Sequence, residues 1–572
     1  MEGQLEAIEA VSSRRPSNST SPRTSSWKRL EKNWSQLQVG HHGSYSVERL
    51  ELLHEYCQAT SFRRVLLVCL LTPAPALLVA VVLECLPLRS PSEGWADNWL
   101  FWIRVGVMLM FIIPVGAWQL NLFVPDHNIS KYQQFNANLL VCVAQLGTFI
   151  IAAMIVGFPV PFMWQLGAIT IGIYIPVLTR LIYGPALFTK GSILQQHHKK
   201  FQDCFAINLT LTGVYPFCRV LYDLLPPVSQ GVVVIILPIW KFGAKRFAVR
   251  MARQAEDFIP ELVAFSVDFF GSLFISFCMT TSGSLYLSAL IIGFDCIHSL
   301  LKFREIYTSE NIILRILQSR RIASSRLNSD SSNQKAESPD LLTVILEVLR
   351  DPSRYCVTPL DGVRLWASPP HHISEKLFAH LQKLQASGVF GPSTQSISAR
   401  KSYSNSSHNH VTLWTLQRTT VVPVRQERQS FRQANQSGHL ALHGLQLLFH
   451  CEYLVLVEYV ECIVPIIFLV YKSVLEQLPN VVYYPGGAGK WGAAAVTNLV
   501  VFVVLEIGSL VLLHIFLQQK FAFSPLYQLA FVLETQIHAV QATLFSLTLF
   551  VLPYQLAHLG VDFTFHFQWL EE

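Results

Sequence analysis

Apolar residues along this chain come in long uninterrupted blocks, without the strict alternation of half-buried strands or the stripes of amphipathic helices. Several blocks exceed the roughly 18 residues that a bilayer-spanning helix needs. They predict eleven membrane segments. The first eight run over Val65–Leu86, Trp99–Val124, Phe135–Gly157, Met163–Tyr183, Phe205–Leu225, Val228–Trp240, Ile259–Thr280 and Leu285–Leu301. A long polar stretch follows, and three more spans come at Leu447–Val470, Trp491–Phe516 and Pro525–Leu552. Helices are the expected spanning form, because a lipid-facing strand leaves backbone groups unsatisfied. The fifth and sixth segments are joined by little more than Pro226-Pro227, and the sixth is short, so the pair also reads as a re-entrant hairpin.

The expectation is therefore an all-α polytopic membrane bundle of about eleven transmembrane helices, arranged as eight plus three. Its parts are a tail over 1–64, a first membrane unit over 65–301, a cytosolic loop over 302–446, a second unit over 447–552 and an exterior tail over 553–572. Charge distribution sets the orientation. Of the 43 Lys and Arg, Arg89, Lys472 and Lys490 fall on the expected outer side and Arg104, Arg180 and Arg219 fall within spans; all the others lie in inner segments. This bias places the N-terminus in the cytosol and the C-terminus outside or in a lumen. The sequons at Asn18, Asn33, Asn128, Asn208, Asn405 and Asn435 then lie inside or within spans, and none is expected to carry a glycan.

Composition narrows the class further. Hydrophobic residues make up 51% of the 572 positions and charged residues only 14%, against about 25% in soluble domains. A soluble enzyme, a disordered protein, a coiled coil and a secreted disulfide scaffold are excluded. The net charge of +6 points to membrane topology rather than to nucleic acid, because the excess sits in loops. Most of the 11 cysteines fall within apolar blocks, where a thiol acts as a small hydrophobe, so no disulfide framework is implied. The first 60 residues are too polar for a cleavable signal peptide.

The polar pieces carry local signals. Ser46–Gln58 reads as a helix with Leu50, Leu53 and Cys57 on one face, leading into Arg63-Arg64, and the simplest reading lays it on the inner leaflet. In the long loop, Leu341–Arg350 lies between Asp340 and Asp351-Pro352, and Ser374 is placed to cap a helix carrying Leu377, Phe378, Leu381 and Leu384. These suit either a small folded insert or a solvated linker, the latter being the simpler reading.

Soluble-enzyme motifs are missing. Tyr484-Pro-Gly-Gly-Ala-Gly-Lys490-Trp491 lacks the first Gly and the final Ser or Thr of a phosphate loop. Neither a His-Glu-x-x-His pair nor a Gly-x-Ser-x-Gly elbow occurs, so no catalytic residue, metal ligand or cofactor is assigned. Chemistry is left to ionisable groups inside the spans, each costing about 2.5–3.5 kcal/mol at mid-bilayer. Glu84, Arg104 and Arg180 lie near span ends and are expected to snorkel, while Arg219 and Asp223 are spaced to pair. Asp268 and Asp295 lie at nearly equal depth on consecutive spans, where two carboxylates would share a proton or hold a cation. Glu458, Glu461, Glu506, Glu534 and His538 gather on the last three spans as a candidate proton or cation pathway. The same groups also read as a network that merely holds helices together.

Tyr45-Ser-Val-Glu-Arg-Leu50, Pro91-Ser-Glu-Gly-Trp95 and Asn98-Trp-Leu-Phe-Trp-Ile-Arg104 resemble the opening of a large oomycete-type family of multi-pass membrane proteins. The resemblance covers residues 45–104, with weaker similarity of hydropathy beyond. It implies architecture only, since that family has no assigned activity. The expected partners are the lipid bilayer, a small ion or solute, and cytosolic proteins, with no nucleic acid. The leading expectation is a proton- or cation-coupled transporter or channel. The alternatives are a receptor or scaffold recruiting partners through its tail and loop, and a lipid-modifying membrane enzyme.

Overall fold

The computed structural model describes residues 43–123, 130–183, 225–253, 256–281, 289–302, 341–351, 362–368, 373–390, 424–489 and 491–561, with a few isolated positions between them. These are overwhelmingly helical and contain no strand. The apolar blocks that fall on described residues become helices, because within lipid only a helix satisfies its own backbone. In chain order they are α1 (Val47–Ala59), α2 (Phe62–Leu71), α3 (Ala74–Glu84), α4 (Trp99–Phe123), α5 (Lys131–Val156), α6 (Met163–Tyr183) and α7 (Pro227–Ala252). Next come α8 (Ile259–Val263), a π-helical turn (Ala264–Asp268), α9 (Phe269–Thr281) and α10 over 289–302. The remainder are α11 (Leu341–Arg350), α12 (Glu375–Ala386), α13 (Val424–Leu475), α14 (Ala493–Phe521), α15 (Pro525–Thr535) and α16 (Ile537–Val551).

Six helical stretches among the described residues are long and apolar enough to cross a bilayer: Phe62–Glu84, Trp99–Ala117, Lys131–Val156, Glu256–Thr280, Leu440–Leu475 and Ala493–Phe521. The expected count of eleven is not supported, for local reasons. The sixth segment is only the first half of α7, whose second half carries Lys241, Lys245, Arg246 and Arg250. The last expected span is two helices, α15 and α16, broken where Gln536 leaves helical geometry at φ −111° and ψ 26°. The fifth segment lies largely outside the described residues, as do Asp223 and Lys490.

Burial separates an inner pair from an outer ring. The most apolar part of Glu256–Thr280 is 94% buried and that of Leu440–Leu475 is 83% buried, against 28–44% for the other four. Both central helices carry acids that lipid would not accept, so they are enclosed by apolar helices whose outer faces are bare. α13 spans 52 residues, about 78 Å, more than twice the hydrocarbon thickness. Along it Glu452, Glu458, Glu461 and Tyr471 each enter a buried polar cluster.

α1 does not lie apart on a surface. Ser46 caps it, accepting from the Arg49 amide at 3.3 Å, and Val47, Leu50 and Leu53 are buried. Its first amides, those of Val47 and Glu48, donate to the carbonyls of Arg364 and Leu365 at 3.0 Å each. Glu48 in turn accepts from the Ala367 amide at 2.9 Å, and Arg350 clasps Glu51 at 2.8 and 2.5 Å. Helices α11 and α12 form where the loop pattern places them, Ser374 accepting from the Leu377 amide at 3.3 Å. The apolar face of α11 (Leu341, Ile345, Val348 and Leu349) packs on α1 and α13 rather than facing solvent. At Gly444 of α13 a Cβ would come within 2.4 Å of Ile345, so this close approach needs glycine. Part of the loop is thus a folded insert, not a linker.

Candidate functional site

Five helical elements bring ionisable groups together near the middle of the bundle. Lys245 Nζ lies 2.8 Å from Asp268 Oδ1, and Lys241 Nζ is 3.3 Å from the same oxygen. Lys241 also reaches Glu461 Oε1 at 3.3 Å. The other Glu461 oxygen accepts from Lys302 Nζ at 2.9 Å, and Lys302 donates to Glu458 Oε1 at 2.8 Å. Glu458 Oε2 accepts from Ser509 at 2.6 Å. The result is a continuous row in which cation and anion alternate from α7 through the π turn, α13 and α10 to α14.

Local structure places each member. Lys241 and Lys245 are four apart on α7 and so share a face. Asp268 closes the π turn, whose extra residue per turn re-aims the side chains that follow; such turns are frequent at functional positions. Glu458 and Glu461 are three apart on α13 and point the same way. Gly271 makes room for the lysine, since a Cβ there would sit 2.7 Å from Lys241 Cε.

Two further carboxylates join the row. Glu506 of α14 is 2% exposed, and its oxygen lies within 4.8 Å of oxygens of both Glu458 and Glu461. Asp295 and His298 of α10 line a cavity of about 220 Å³ together with Lys241, Lys245 and Glu461. Exposed Ile297 and Leu301 line it too, so the cavity reaches the surface of the bundle. Among the described residues five carboxyl groups stand against three ammonium groups, an excess of two acids that protons or a cation can balance.

Five of the seven residues singled out in the sequence, Asp268, Asp295, Glu458, Glu461 and Glu506, meet here. Glu534 and His538 do not. Glu534 pairs with the exposed Arg64 at 2.9 Å, and His538 is exposed on α16, beyond the break at Gln536. Asp268 pairs with Lys241 and Lys245, and Asp295 lines a cavity together with the same two lysines. The lysines were missed because Lys241 and Lys302 each sit at the end of an expected span and read as loop charges. Their signal was the i,i+4 spacing of Lys241 and Lys245 opposite a glycine.

Two other buried ionic clusters bracket this one along α13. Arg49 is 1% exposed and donates to Glu261 Oε1 and Glu452 Oε1 at 2.7 Å each, and to the Asp257 carbonyl. Burial pulls its guanidinium down, but Glu452 and Glu261 outweigh this and hold it well above the ordinary arginine value. Tyr45 donates to the second Glu452 oxygen, and burial followed by the Glu452 charge pushes its phenol well above 10. Arg364 of the insert grips Asp257 at 2.9 Å through two nitrogens. At the other end, Glu84 and Arg104 form a bidentate pair, both about 2% exposed, joined by Tyr471 at 2.5 Å and Tyr484 at 2.7 Å. These two residues do not snorkel. Arg219 donates to Gln555 at 2.5 Å and stacks over Phe277.

Comparison of the chain with family models, with curated proteins and with solved structures finds no match. Function is therefore argued from the site alone.

Proposed function

We propose that the protein is a proton- or cation-coupled transporter or channel of a membrane, with Glu458, Glu461 and Glu506 as the exchange site. The observation that carries this reading is the convergence of three carboxyl groups: a Glu506 oxygen lies within 4.8 Å of oxygens of Glu458 and Glu461, two acids that already share Lys302. A purely structural network pairs its charges off, whereas this one keeps an excess of anions beside a cavity open to the bundle surface. Proton or cation uptake at Glu506 and Glu458 weakens the hold on Lys302, and so couples the charge of the site to the position of α10. The Lys and Arg bias supports a cytosolic N-terminus and insert, where the folded α1–α11–α12 surface would meet cytosolic proteins.

The test is flux in vesicles reconstituted with the full chain, using a pH-sensitive dye inside and gradients of protons, sodium or potassium in turn. Glu506→Gln and Glu458→Gln together are expected to abolish gradient-driven flux while leaving the protein folded and inserted. Flux unaltered in that double variant, or no flux above empty vesicles in wild type under any of the gradients, rejects the proposal and leaves the recruiting scaffold as the better reading.

A further inference from the structure

The outer face of α7 changes character along its length. Val232, Ile236 and Ile239 are 52–68% exposed and, three and four residues apart, form one apolar stripe facing away from the bundle. Gly243 continues the stripe, with nothing within 4 Å of where a Cβ would stand. Beyond it the same stripe carries Arg246, Arg250 and Arg253, all exposed. The opposite face of this half of the helix is a different surface: Lys241 and Lys245 pair with Asp268, and Ala248, Val249 and Ala252 are buried. The three guanidinium groups therefore belong to the outside of the bundle and not to the charged row.

Two observations point to a membrane boundary at these arginines. An exposed apolar stripe suits hydrocarbon, and the first charges on it mark where the hydrocarbon ends. Asp257, just past Arg253, is gripped by Arg364, so this end of α7 lies on the side of the insert. Glu256, whose charge Arg253 also reaches, lies 3.0 Å from the same Arg364. The two acids that follow α7 are thus engaged by the insert, and positive charge is left in excess on the outer face. Guanidinium forks match phosphate oxygens, so anionic phospholipid is the partner this face fits. Height selects the kind. From Arg246 to Arg253 the helix rises about 10 Å, against about 5–7 Å for the headgroup layer of one leaflet. A lone phosphodiester lies at one depth and meets one end of this ladder. A headgroup with further phosphates standing off the diester meets all of it. We infer that the outer face of α7 binds a phosphoinositide, with the diester at Arg246, the ring phosphates at Arg250 and Arg253, and the acyl chains along Val232, Ile236 and Ile239. Arg246, 5.8 Å from the Phe242 ring centre, is held where the apolar stripe gives way. This site is separate from the exchange site, and its occupancy does not depend on transport.

The test is native mass spectrometry of the purified full chain in detergent, titrated in turn with short-chain phosphatidylinositol bisphosphate, short-chain phosphatidylserine and the free headgroup inositol trisphosphate. Saturable binding of the bisphosphate lipid is expected, tighter than that of either competitor. Arg250→Gln should weaken it about fivefold. Arg246→Gln, Arg250→Gln and Arg253→Gln together should weaken it on the order of a hundredfold, at about a factor of five for each basic residue. Arg63→Gln, which removes an exposed charge at the start of α2, should stay within about twofold of wild type, less than one full basic-residue contribution. All four positions are exposed, so these variants are expected to melt with the wild type. Non-saturable binding, equal affinity for phosphatidylserine, tighter binding of the free headgroup than of the lipid, binding retained in the triple variant, or a loss at Arg63 as large as at Arg250 would each overturn the assignment.

Discussion

Arg49→Met is the sharpest perturbation the fold offers. The guanidinium is 1% exposed and carries two carboxylates at 2.7 Å, those of Glu261 and Glu452, together with the Asp257 carbonyl. Methionine fills a similar volume, so the loss is electrostatic rather than a cavity. It strands two buried carboxylates that face each other across the vacated position. Breaking one buried pair costs about 3–5 kcal/mol, and the penalty here falls in or above that range because two anions lose the same cation. Tyr45 and Gln528, which tie Glu452 to α15, keep their hydrogen bonds and restrain but do not remove the effect. Unfolding in mixed micelles titrated with a denaturing detergent, read by tryptophan fluorescence, measures the loss, and proteolysis of the insert over 341–390 should accelerate in parallel. A companion variant combining Arg49→Met with Glu261→Gln and Glu452→Gln removes all three charges, and most of the stability is expected to return. A loss below about 1 kcal/mol in the single variant, or a triple variant no more stable than the single, would refute the reasoning, because either result means that uncompensated charge is not what Arg49 prevents.

Glu84→Gln should destabilise by about 3–5 kcal/mol in the same assay, since it leaves Arg104 buried against Tyr471 and Tyr484 with no anion; a change within 1 kcal/mol would show that the two tyrosines suffice. His558 packs against Phe101, Phe158 and Tyr483 and bonds the Arg89 carbonyl at 2.7 Å, and burial pushes its pKa down to about 4 from 6.5. The unfolded chain therefore takes a proton that the folded chain refuses, so the stability due to neutral His558 is intact above about pH 6.5 and falls as pH drops toward 4, by up to about 3 kcal/mol; melting temperatures of wild type and His558→Gln across that window should converge at the acid end. Gly271→Ala places a Cβ 2.7 Å from Lys241 Cε, and the flexible lysine can yield. Stability should change by less than about 1 kcal/mol while the vesicle flux proposed above is altered; a variant with wild-type flux would detach the Lys241 position from function.

What the sequence by itself determined is the material of the fold. Apolar blocks dictate helices because lipid allows little else, and the capped amphipathic segments at Leu341–Arg350 and after Ser374 become α11 and α12 at those positions. The acids on one face of α13 and the unexpected Asp268 and Asp295 were likewise visible as charges with nowhere cheap to go. Which charges meet was decided only in three dimensions. Whether Glu458 or Glu534 joins a shared site depends on which helices enclose α13 and on a break at Gln536, and neither is written in hydropathy. Lys241 and Lys302 look like loop residues until α7 and α10 carry them inward, and Arg49 looks like a surface charge until the insert closes over α1. Helix formation is local and repeats along the chain, so one dimension suffices to read it. Pairing of buried charges depends on distances of about 3 Å between residues as far as 403 positions apart, as in Arg49 and Glu452, and packing alone sets those.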